Sequence, residues 1–335
     1  MKKNLTSSLK ISICIKNKMS KQNIIIGAGS WGSALAKVIS RNLEKVLMYT
    51  QNSDVAREIN TKHTNHSKIN SIKLPENVFA INYIPKNIET CIIAIPVKYI
   101  KTFLKNSLAS TSINNIVVCS KGIDVSELKF PSELCNRYFP NTKIGVLSGP
   151  NFAKEIAENK IAKSVLASKE DEILSKVINI FTTQYLKIEI TEDIIGVEIC
   201  GAVKNVIAIA FGIAQGLELG ENFLAALFVN AIKEIRNLIK ILGGNSDTAN
   251  SFAGIGDVFL TSHSLTSRNT KFGYDLARNN GDSILEKFLV EGYYTAQSMH
   301  RICILRNIEA PICKFVYQVL YENKNKMHIC DILLR

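Results

Sequence analysis

Short apolar runs alternate with helix-patterned segments along the first half of the chain. Several runs are apolar at nearly every position, which is typical of strands buried on both faces of a parallel sheet. The predicted strands are residues 23–26, 46–50, 78–81, 90–95, 115–119, 143–148, 164–167 and 185–190. Helices predicted between them include residues 30–41, 97–108 and 170–181. This alternation predicts an α/β fold with right-handed crossovers and a mainly parallel, doubly wound sheet.

The pattern changes near Asp193, after which strand signals nearly vanish. Long or medium helices are predicted at residues 193–215, 222–242, 269–278, 293–306 and 311–321. We therefore expect the sheet domain to span residues 20–192 and an all-α C-terminal domain to span residues 193–335. Residues 1–19 carry five lysines and lack the apolar core of a signal peptide. We expect them to form a disordered extension.

A glycine motif follows the first predicted strand. The sequence Gly27-Ala28-Gly29-Ser30-Trp31-Gly32 has the form G-x-G-x-x-G and leads directly into a helical segment. In such a motif the first glycine permits a tight turn, the second lets a pyrophosphate approach the backbone, and the third lets helix pack on strand. The free N–H groups of the helix N-terminus then bind the phosphates. This context predicts a Rossmann-type nucleotide-binding sheet.

The first helix of the second domain carries an unusual lysine. Lys204 and Asn205 lie within a run of small and apolar residues, and Gly196, Cys200 and Lys204 share one helix face. A membrane span is disfavoured because Glu198, Lys204 and Asn205 would fall near its middle. A helical lysine normally extends to the surface, but this apolar setting favours a lowered pKa. Lys204 is therefore a candidate for acid–base catalysis near neutral pH.

Composition and charge narrow the class of protein. Of the 335 residues, 46% are hydrophobic and 21% charged, which indicates a soluble globular chain rather than a disordered one. The eight cysteines are scattered, without a C-x-x-C pair, so neither a disulfide framework nor a zinc site is expected. The net charge of +12 is spread along the chain. We therefore expect no nucleic-acid partner, no membrane insertion and no metal, and we expect a basic cleft that suits anionic ligands.

Seven segments carry a resemblance to a known family. In chain order they are residues 27–36, 120–122, 147–155, 201–208, 253–257, 267–269 and 290–293. With these segments the chain, from Gln22 to its C-terminus, resembles the bacterial NAD(P)-dependent sn-glycerol-3-phosphate dehydrogenases. The combination of Ala-Val-Lys-Asn-Val with a later Ser-Arg-Asn is the most specific part of this resemblance.

The resemblance implies a reversible reaction in which dihydroxyacetone phosphate is reduced to sn-glycerol 3-phosphate, the backbone of glycerophospholipids. It implies NADPH or NADH as cofactor, a cytoplasmic location and a homodimer. It also implies three sets of site residues. The catalytic residues are Lys204, Asp257 and Lys121. The cofactor-binding residues are Gly27, Gly29, Ser30, Trp31, Gly32, Gln51, Lys121, Ala153, Arg268, Leu289 and Glu291. The substrate-binding residues are Lys121, Gly149, Asn151, Lys204, Asn205, Asp257, Ser267, Arg268 and Asn269.

The chain departs from the family pattern at two places. Asn151 follows Ser-Gly-Pro, where the family usually has threonine or serine, so we expect binding to be altered only in detail. The second strand is followed by Gln51 and Asn52, where many NAD-specific folds place an acidic residue for the ribose hydroxyls. NADPH would therefore not be strongly repelled, and Arg57 is a weak candidate for binding its 2′-phosphate.

Two alternative functions remain at this point. One is a related two-domain enzyme, such as a hydroxyacid dehydrogenase or a ketopantoate-type reductase, although such enzymes should lack the Ser-Arg-Asn segment. The other is a non-catalytic nucleotide- or nucleic-acid-binding protein. Only the basic charge favours it, and it leaves Lys204, Asp257 and Arg268 unexplained.

Overall fold

The computed structural model of the protein describes residues 22–70, 72–278 and 290–333. The predicted extension at residues 1–19 and the predicted cofactor contact Leu289 lie outside these residues. Elements are numbered below in chain order within the described part.

One eight-stranded sheet organises the first half of the chain, with strand order β3-β2-β1-β4-β5-β6-β7-β8. Neighbouring strands are parallel except β6 and β7, which are antiparallel. The predicted mainly parallel, doubly wound sheet is therefore confirmed. The strands are β1 (Gln22–Ile26), β2 (Val46–Tyr49), β3 (Val78–Ile81), β4 (Asn87–Ile93), β5 (Ser112–Val118), β6 (Lys143–Ser148), β7 (Ala162–Ala167) and β8 (Leu186–Thr191).

Two strand starts were predicted three residues too late, and both errors have the same cause. Strands β4 and β5 begin three residues earlier than the apolar pattern indicates, at Asn87 and Ser112. These two polar residues are paired with each other in the parallel ladder. Backbone pairing extends a strand beyond its buried segment, so the apolar run alone marks only the core of each strand.

Six helices connect the strands: α1 (Ser30–Ile39), α2 (Ser53–Lys62), α3 (Val97–Asn106), α4 (Pro131–Tyr138), α5 (Ala153–Ala157) and α6 (Asp171–Phe181). The three helices predicted here, α1, α3 and α6, are present with ends shifted by one or two residues. Helix α2 was not predicted. Ile59 is its one buried residue, so it has no apolar stripe that a sequence pattern could reveal.

The second half of the described chain is helical, as predicted. It contains α7 (Ile194–Gly216), α8 (Glu221–Ile241), α9 (Asp257–His263), α10 (Arg268–Arg278), α11 (Glu291–Arg306) and α12 (Pro311–Tyr321). Two 3₁₀ helices (Ser246–Asn250 and Lys326–Ile332) and a π-helical turn (Phe252–Gly256) complete it. The division of the chain at residue 193 stays a prediction.

Helix α7 is the centre of the helical half. Among the described residues it is the one helix long and apolar enough to cross a membrane, with a mean hydropathy of 1.9. However, 83% of that apolar window is buried inside the protein. Its apolar side chains belong to the same cluster as Ile93 of β4 and Val146 of β6. Helix α7 is therefore a core helix that joins the two halves and lies against the carboxyl ends of the strands.

Candidate active site

Two lysines from opposite halves of the molecule meet at one carboxylate. Lys121 lies in the loop after β5, Lys204 lies in the middle of α7, and Asp257 is the first residue of α9. Lys121 Nζ lies 2.5 Å from Asp257 Oδ2, and Lys204 Nζ lies 2.7 Å from Asp257 Oδ1. Lys121 Nζ also donates to the backbone oxygen of Gly149 at 2.9 Å. The structure thus brings the three predicted catalytic residues together.

Burial has its largest effect on Lys204. The side chains of Lys204 and Asp257 are only 11% and 1% exposed. Desolvation lowers the pKa of Lys204 to about 8, and the positive charges of Lys121 and Arg268 act in the same direction. The negative charge and hydrogen bond of Asp257 oppose this shift. Lys204 therefore titrates close to neutral pH, in the direction that its apolar sequence context predicts.

Thr261 is a member of the cluster that the sequence analysis missed. Its hydroxyl accepts a hydrogen bond from Lys204 Nζ at 2.9 Å. Thr261 lies four residues after Asp257 on α9, so both side chains occupy one helix face, and this spacing could have revealed it. A lysine ammonium has three N–H donors. Asp257 and Thr261 take two of them, which leaves the third for a ligand.

The glycine motif forms the tight turn between β1 and α1. Gly27 has a φ of +112°, which glycine adopts without strain. A Cβ on Gly32 would lie 1.9 Å from the backbone oxygen of Gly27, so helix and turn approach closely. A Cβ on Gly29, by contrast, would meet no protein atom within 4 Å. The second glycine therefore faces open space, where a ligand can approach the backbone.

The N-terminus of α1 is suited to an anion. Gly29 caps this helix without a side-chain hydrogen bond, and its first turn contains no acidic residue. The free N–H groups and the positive end of the helix dipole are therefore available to a pyrophosphate. The residues present fit a dinucleotide cofactor at this turn.

Comparisons with known proteins agree with this geometry. Residues 23–174 match the family model described as NAD-dependent glycerol-3-phosphate dehydrogenase N-terminus, and residues 193–331 match the model of its C-terminus. The chain is 34% identical over 304 residues to glycerol-3-phosphate dehydrogenase [NAD(P)+] of Neorickettsia sennetsu, covering 90% of each chain. The chain belongs to the NAD-dependent glycerol-3-phosphate dehydrogenase family.

Solved structures lead to the same family. A crystal structure of glycerol-3-phosphate dehydrogenase from Coxiella burnetii superposes with a TM-score of 0.88 at 29% identity, covering 94% of this chain and 99% of that one. A probable 2-dehydropantoate 2-reductase from Bacillus subtilis reaches a TM-score of only 0.55 at 12% identity. It covers 90% of this chain and all of that one, and the likeness shows a shared fold alone. The ketopantoate-type alternative is therefore the more distant one.

Four of the residues expected to contact the cofactor lie around the glycine turn, residues 27–32. Gln51 follows β2, whose last residue accepts a hydrogen bond from Gly27 N. Trp31 Nε1 donates to the backbone oxygen of Cys119 at the end of β5, 3.1 Å away. Ser30 Oγ donates to the backbone oxygen of Lys68. Ala153 begins α5, and it packs against the same apolar cluster as Trp31.

The expected phosphate-binding segment lies at the start of α10. Ser267 Oγ accepts a hydrogen bond from Thr270 N, so its hydroxyl caps the helix. Arg268 is exposed and makes no hydrogen bond or ion pair with any described residue. Its charge nevertheless affects the pKa of both Lys204 and Glu291. Arg268 is thus the cation of this segment that is free for an anionic ligand.

Two asparagines connect α7 and α10 to the start of α11. Asn205 Oδ1 accepts from Asn269 Nδ2, and Asn269 Oδ1 accepts from the backbone N–H of Gly292, both at 2.9 Å. Glu291, the preceding residue, accepts a backbone hydrogen bond from Val97 at the start of α3. Burial raises the pKa of Glu291 to about 7. Hydrogen bonds therefore link Asn205 and Asn269, which are expected to bind substrate, to the segment of Glu291, which is expected to bind the cofactor.

Gly149 and Asn151 flank the end of β6. Gly149 has a φ of +147° and packs against β7, where a Cβ would lie 2.9 Å from the Cα of Ser164. Asn151 Nδ2 donates to Ser164 Oγ at 2.8 Å, whereas its buried Oδ1 has no partner among the described residues. Asn151 therefore keeps an unpaired polar atom just after the end of β6, and its expected contact with substrate stays a prediction.

Proposed function

We propose that the protein catalyses the reversible NAD(P)H-dependent reduction of dihydroxyacetone phosphate to sn-glycerol 3-phosphate. The observation that carries this proposal is the Lys121–Asp257–Lys204 cluster between the sheet and the helical half. It contains a buried lysine with a pKa of about 8, and the same chain carries a turn that fits a dinucleotide. Two lysines and Arg268 against one aspartate leave the site cationic, which suits a phosphorylated substrate.

The glycine turn and the N-terminus of α1 would hold the cofactor through its pyrophosphate. When bound, the nicotinamide supplies the hydride that is added to the carbonyl carbon of the substrate. The oxygen of that carbonyl then carries negative charge and needs a proton. Side chains of this protein supply the proton, stabilise the charge on the oxygen and bind the phosphate.

Lys204 donates that proton in the reduction and accepts it in the reverse reaction. Asp257 and Thr261 hold two N–H groups of Lys204, so its third N–H can point at the substrate oxygen. Proton transfer from a positioned group typically contributes about 10²–10⁴-fold to the rate. Lys121 adds a second positive charge that stabilises the developing oxyanion.

The substrate phosphate binds at Arg268, whose planar guanidinium can give two parallel hydrogen bonds to phosphate oxygens. Asn269, Ser267 and Asn205 shape this end of the site. Gly149 and Asn151 line the end near β6, and Glu291 lies beside the cofactor. These roles are carried over from the family pattern. They are supported by the contacts of Asp257 with Lys121 and Lys204, and by the hydrogen bond between Asn205 and Asn269.

The direct test is an absorbance assay with purified protein and dihydroxyacetone phosphate, run separately with NADPH and NADH. We expect substrate-dependent loss of absorbance at the nicotinamide band. A parallel reaction with ketopantoate distinguishes the more distant alternative. Turnover of ketopantoate without turnover of dihydroxyacetone phosphate would contradict the proposal.

NADPH use is supported by the end of β2. Thr50, Gln51 and Asn52 carry no negative charge there, and Asp54 lies 3.4 Å from Arg57 in an exposed ion pair. Among residues 50–52, all of them described, no acidic side chain would repel a 2′-phosphate. The same polar residues leave NADH binding open, and the ratio of kcat/KM for the two cofactors measures the preference.

We further propose that the enzyme is a cytoplasmic homodimer that supplies glycerophospholipid synthesis. These features follow the family pattern. Light scattering coupled to size-exclusion chromatography tests the dimer, for which the expected mass is about twice the 37.2 kDa of the chain.

A further inference from the structure

Glu198 is a buried carboxyl group that the mechanism above does not use. It lies on the first turns of α7 and is 6% exposed. Glu198 Oε1 accepts the backbone N–H of Ser132 at 2.9 Å, and Oε2 accepts the Ser132 hydroxyl at 2.5 Å. Ser132 follows Pro131 at the start of α4, where backbone N–H groups have no partner within the helix. Glu198 therefore connects the helical half to the sheet half.

A small cavity separates Glu198 from the loop that carries Lys121. Its volume is about 10 Å³, which is near the lower limit for one water molecule. Ser148 lines it, is 3% exposed, and has a hydroxyl with no hydrogen-bond partner among the described residues. A buried water needs two to four polar partners. The Ser148 hydroxyl and the Glu198 carboxylate supply two.

The same cavity borders the side chain of Lys121. A Cβ on Gly201 would lie 3.4 Å from Lys121 Cγ and 3.2 Å from Ser148 Oγ. The aliphatic stem of Lys121 therefore lies against Gly201, one helical turn after Glu198. At the far end of this stem, Nζ contacts Asp257 and the backbone oxygen of Gly149. A change in the cavity would therefore displace the Cγ and Cδ atoms of Lys121, and with them the Nζ that contacts Asp257.

We propose that this cavity binds one water molecule between the Ser148 hydroxyl and the Glu198 carboxylate, and that Glu198 is a positioning residue for Lys121. Glu198 touches neither substrate nor cofactor. It fixes α4, α7 and the loop after β5 relative to one another, and Lys121 transmits this to Asp257 and Lys204. The proposal deepens the dehydrogenase function described above and depends on it for its kinetic test.

The groups around Glu198 affect the balance between its ionised and neutral forms. Glu133 and Cys135 face it from α4, and Lys121 faces it from the loop after β5. Burial and the charge of Glu133 raise the pKa of Glu198 to about 7, against two hydrogen bonds from Ser132. An ionised carboxylate can accept both of these bonds, one on each oxygen. We assign the well-positioned site to the ionised form of Glu198.

The kinetic experiment compares Glu198→Gln with Glu234→Gln. Glu234 is a matched control, since it is a buried carboxylate that accepts two backbone N–H groups at the start of another helix, α12. We expect Glu198→Gln to lower kcat by about tenfold or more, because small displacements of catalytic groups are costly. The KM for dihydroxyacetone phosphate should change less than about twofold, since this variant alters positioning in the transition state rather than uniform binding.

The pH profile separates positioning from a purely structural role. At saturating cofactor, kcat of the wild type should rise as pH increases through about 7, and Glu198→Gln should lose this rise. Glu234→Gln should keep both kcat and the rise. If both variants lower the melting temperature alike and leave kcat and its pH profile unchanged, the positioning role is overturned.

Ser148→Ala and a crystal structure keep the proposal testable if Glu198→Gln does not fold. Ser148→Ala removes a hydroxyl that has no partner among the described protein atoms. Without a bound water there, kcat should be unchanged and stability equal or higher. We expect a lower kcat, and an unchanged value would contradict us. A high-resolution structure of the wild type should show density for a water within hydrogen-bond distance of Ser148 and Glu198. A Ser148 hydroxyl bonded directly to protein would refute the water site even if the wild type proved inactive on dihydroxyacetone phosphate.

Discussion

Lys121 and Lys204 lie 83 positions apart in the chain, yet their ammonium groups bind the two oxygens of one carboxylate. Lys121 contacts Oδ2 and Lys204 contacts Oδ1 of Asp257, at 2.5 and 2.7 Å. Placing two cations on one buried anion leaves a net positive charge in the cleft. Because the lysines differ in burial and partners, they are suited to different tasks, Lys204 to proton transfer and Lys121 to charge stabilisation.

Replacing Lys204 with alanine should lower kcat by about two or more orders of magnitude while the fold stays intact. The physical reason is that no other described donor occupies its position between Asp257 and Thr261. Steady-state kinetics with circular dichroism checks both parts. Lys240→Ala, at an exposed position of α8, is the control and should retain full activity. Near-normal turnover of the Lys204 variant would exclude its role as proton donor.

Replacing Asp257 with asparagine should move the alkaline limb of the pH profile for reduction to lower pH. Lys204 must be protonated to donate, so the rate falls as pH rises through its pKa of about 8. The charge and hydrogen bond of Asp257 raise that pKa, and asparagine removes the charge. The inflection in kcat should therefore lie below that of the wild type. An unchanged or higher inflection would mean that Asp257 does not set the protonation of Lys204.

Arg268→Ala should mainly weaken binding of the phosphorylated substrate. Hydrogen bonds to a charged partner contribute roughly 1.5–3 kcal/mol each, so we expect the KM for dihydroxyacetone phosphate to rise by about ten- to a hundredfold. Arg278→Ala, at the other end of α10 in an exposed ion pair with Glu218, is the matched control. Both variants should leave the KM for unphosphorylated dihydroxyacetone nearly unchanged. A KM unchanged by Arg268→Ala would remove the arginine from the phosphate site.

The glycine turn offers two substitutions with opposite expectations. Gly29→Val should fold, since Gly29 has a φ of −76° and a Cβ there meets no protein atom, but its side chain should block the pyrophosphate. Gly32→Ala should destabilise the fold, because its Cβ would lie 1.9 Å from Gly27 O. Melting curves and NADPH titration by fluorescence separate the two effects. Normal NADPH binding by folded Gly29→Val would contradict the placement of the phosphates.

Much of this molecule was predictable because its signals are local. The continuous apolar strands predict a parallel sheet. The G-x-G-x-x-G turn predicts that a ligand binds at the carboxyl ends of its strands. Lys204 was recognisable because a single lysine inside a buried helix needs a chemical reason. Each of these inferences depends on residues that are near one another in sequence.

The remaining features depend on packing between distant segments. The contact between Lys121 and Asp257 joins residues 136 positions apart, and no local pattern specifies it. From the sequence alone, Asp257 resembles an ordinary first residue of a helix. Only the fold brings it into contact with Lys121 in the loop after β5. Glu198 and Ser132 are 66 positions apart, so Glu198 could be read only as an argument against a membrane span. The sequence therefore identified site members by residue type and resemblance, and the structure supplied their partners.

Glu234 provides a test of stability that is separate from catalysis. It lies on α8, is 5% exposed, and accepts the backbone N–H groups of Ile312 and Cys313 at the start of α12. Burial raises its pKa above the ordinary value, against these hydrogen bonds. A group whose pKa is raised on folding contributes stability that is complete below the unfolded-state pKa and is lost as pH rises through the folded-state pKa.

The melting temperature of the wild type minus that of Glu234→Gln should therefore fall as pH is increased from about 5 to 8, since glutamine does not titrate in this range. Glu234→Ala should destabilise the protein at every pH, because two buried N–H groups lose their acceptor at a cost of roughly 1–3 kcal/mol each. Thermal melts of the three proteins across this pH range make the comparison. A difference between wild type and Glu234→Gln that grows with pH would show that the ionised carboxylate is the more stable form in the fold. In that case the two backbone hydrogen bonds, rather than desolvation, would dominate at this site.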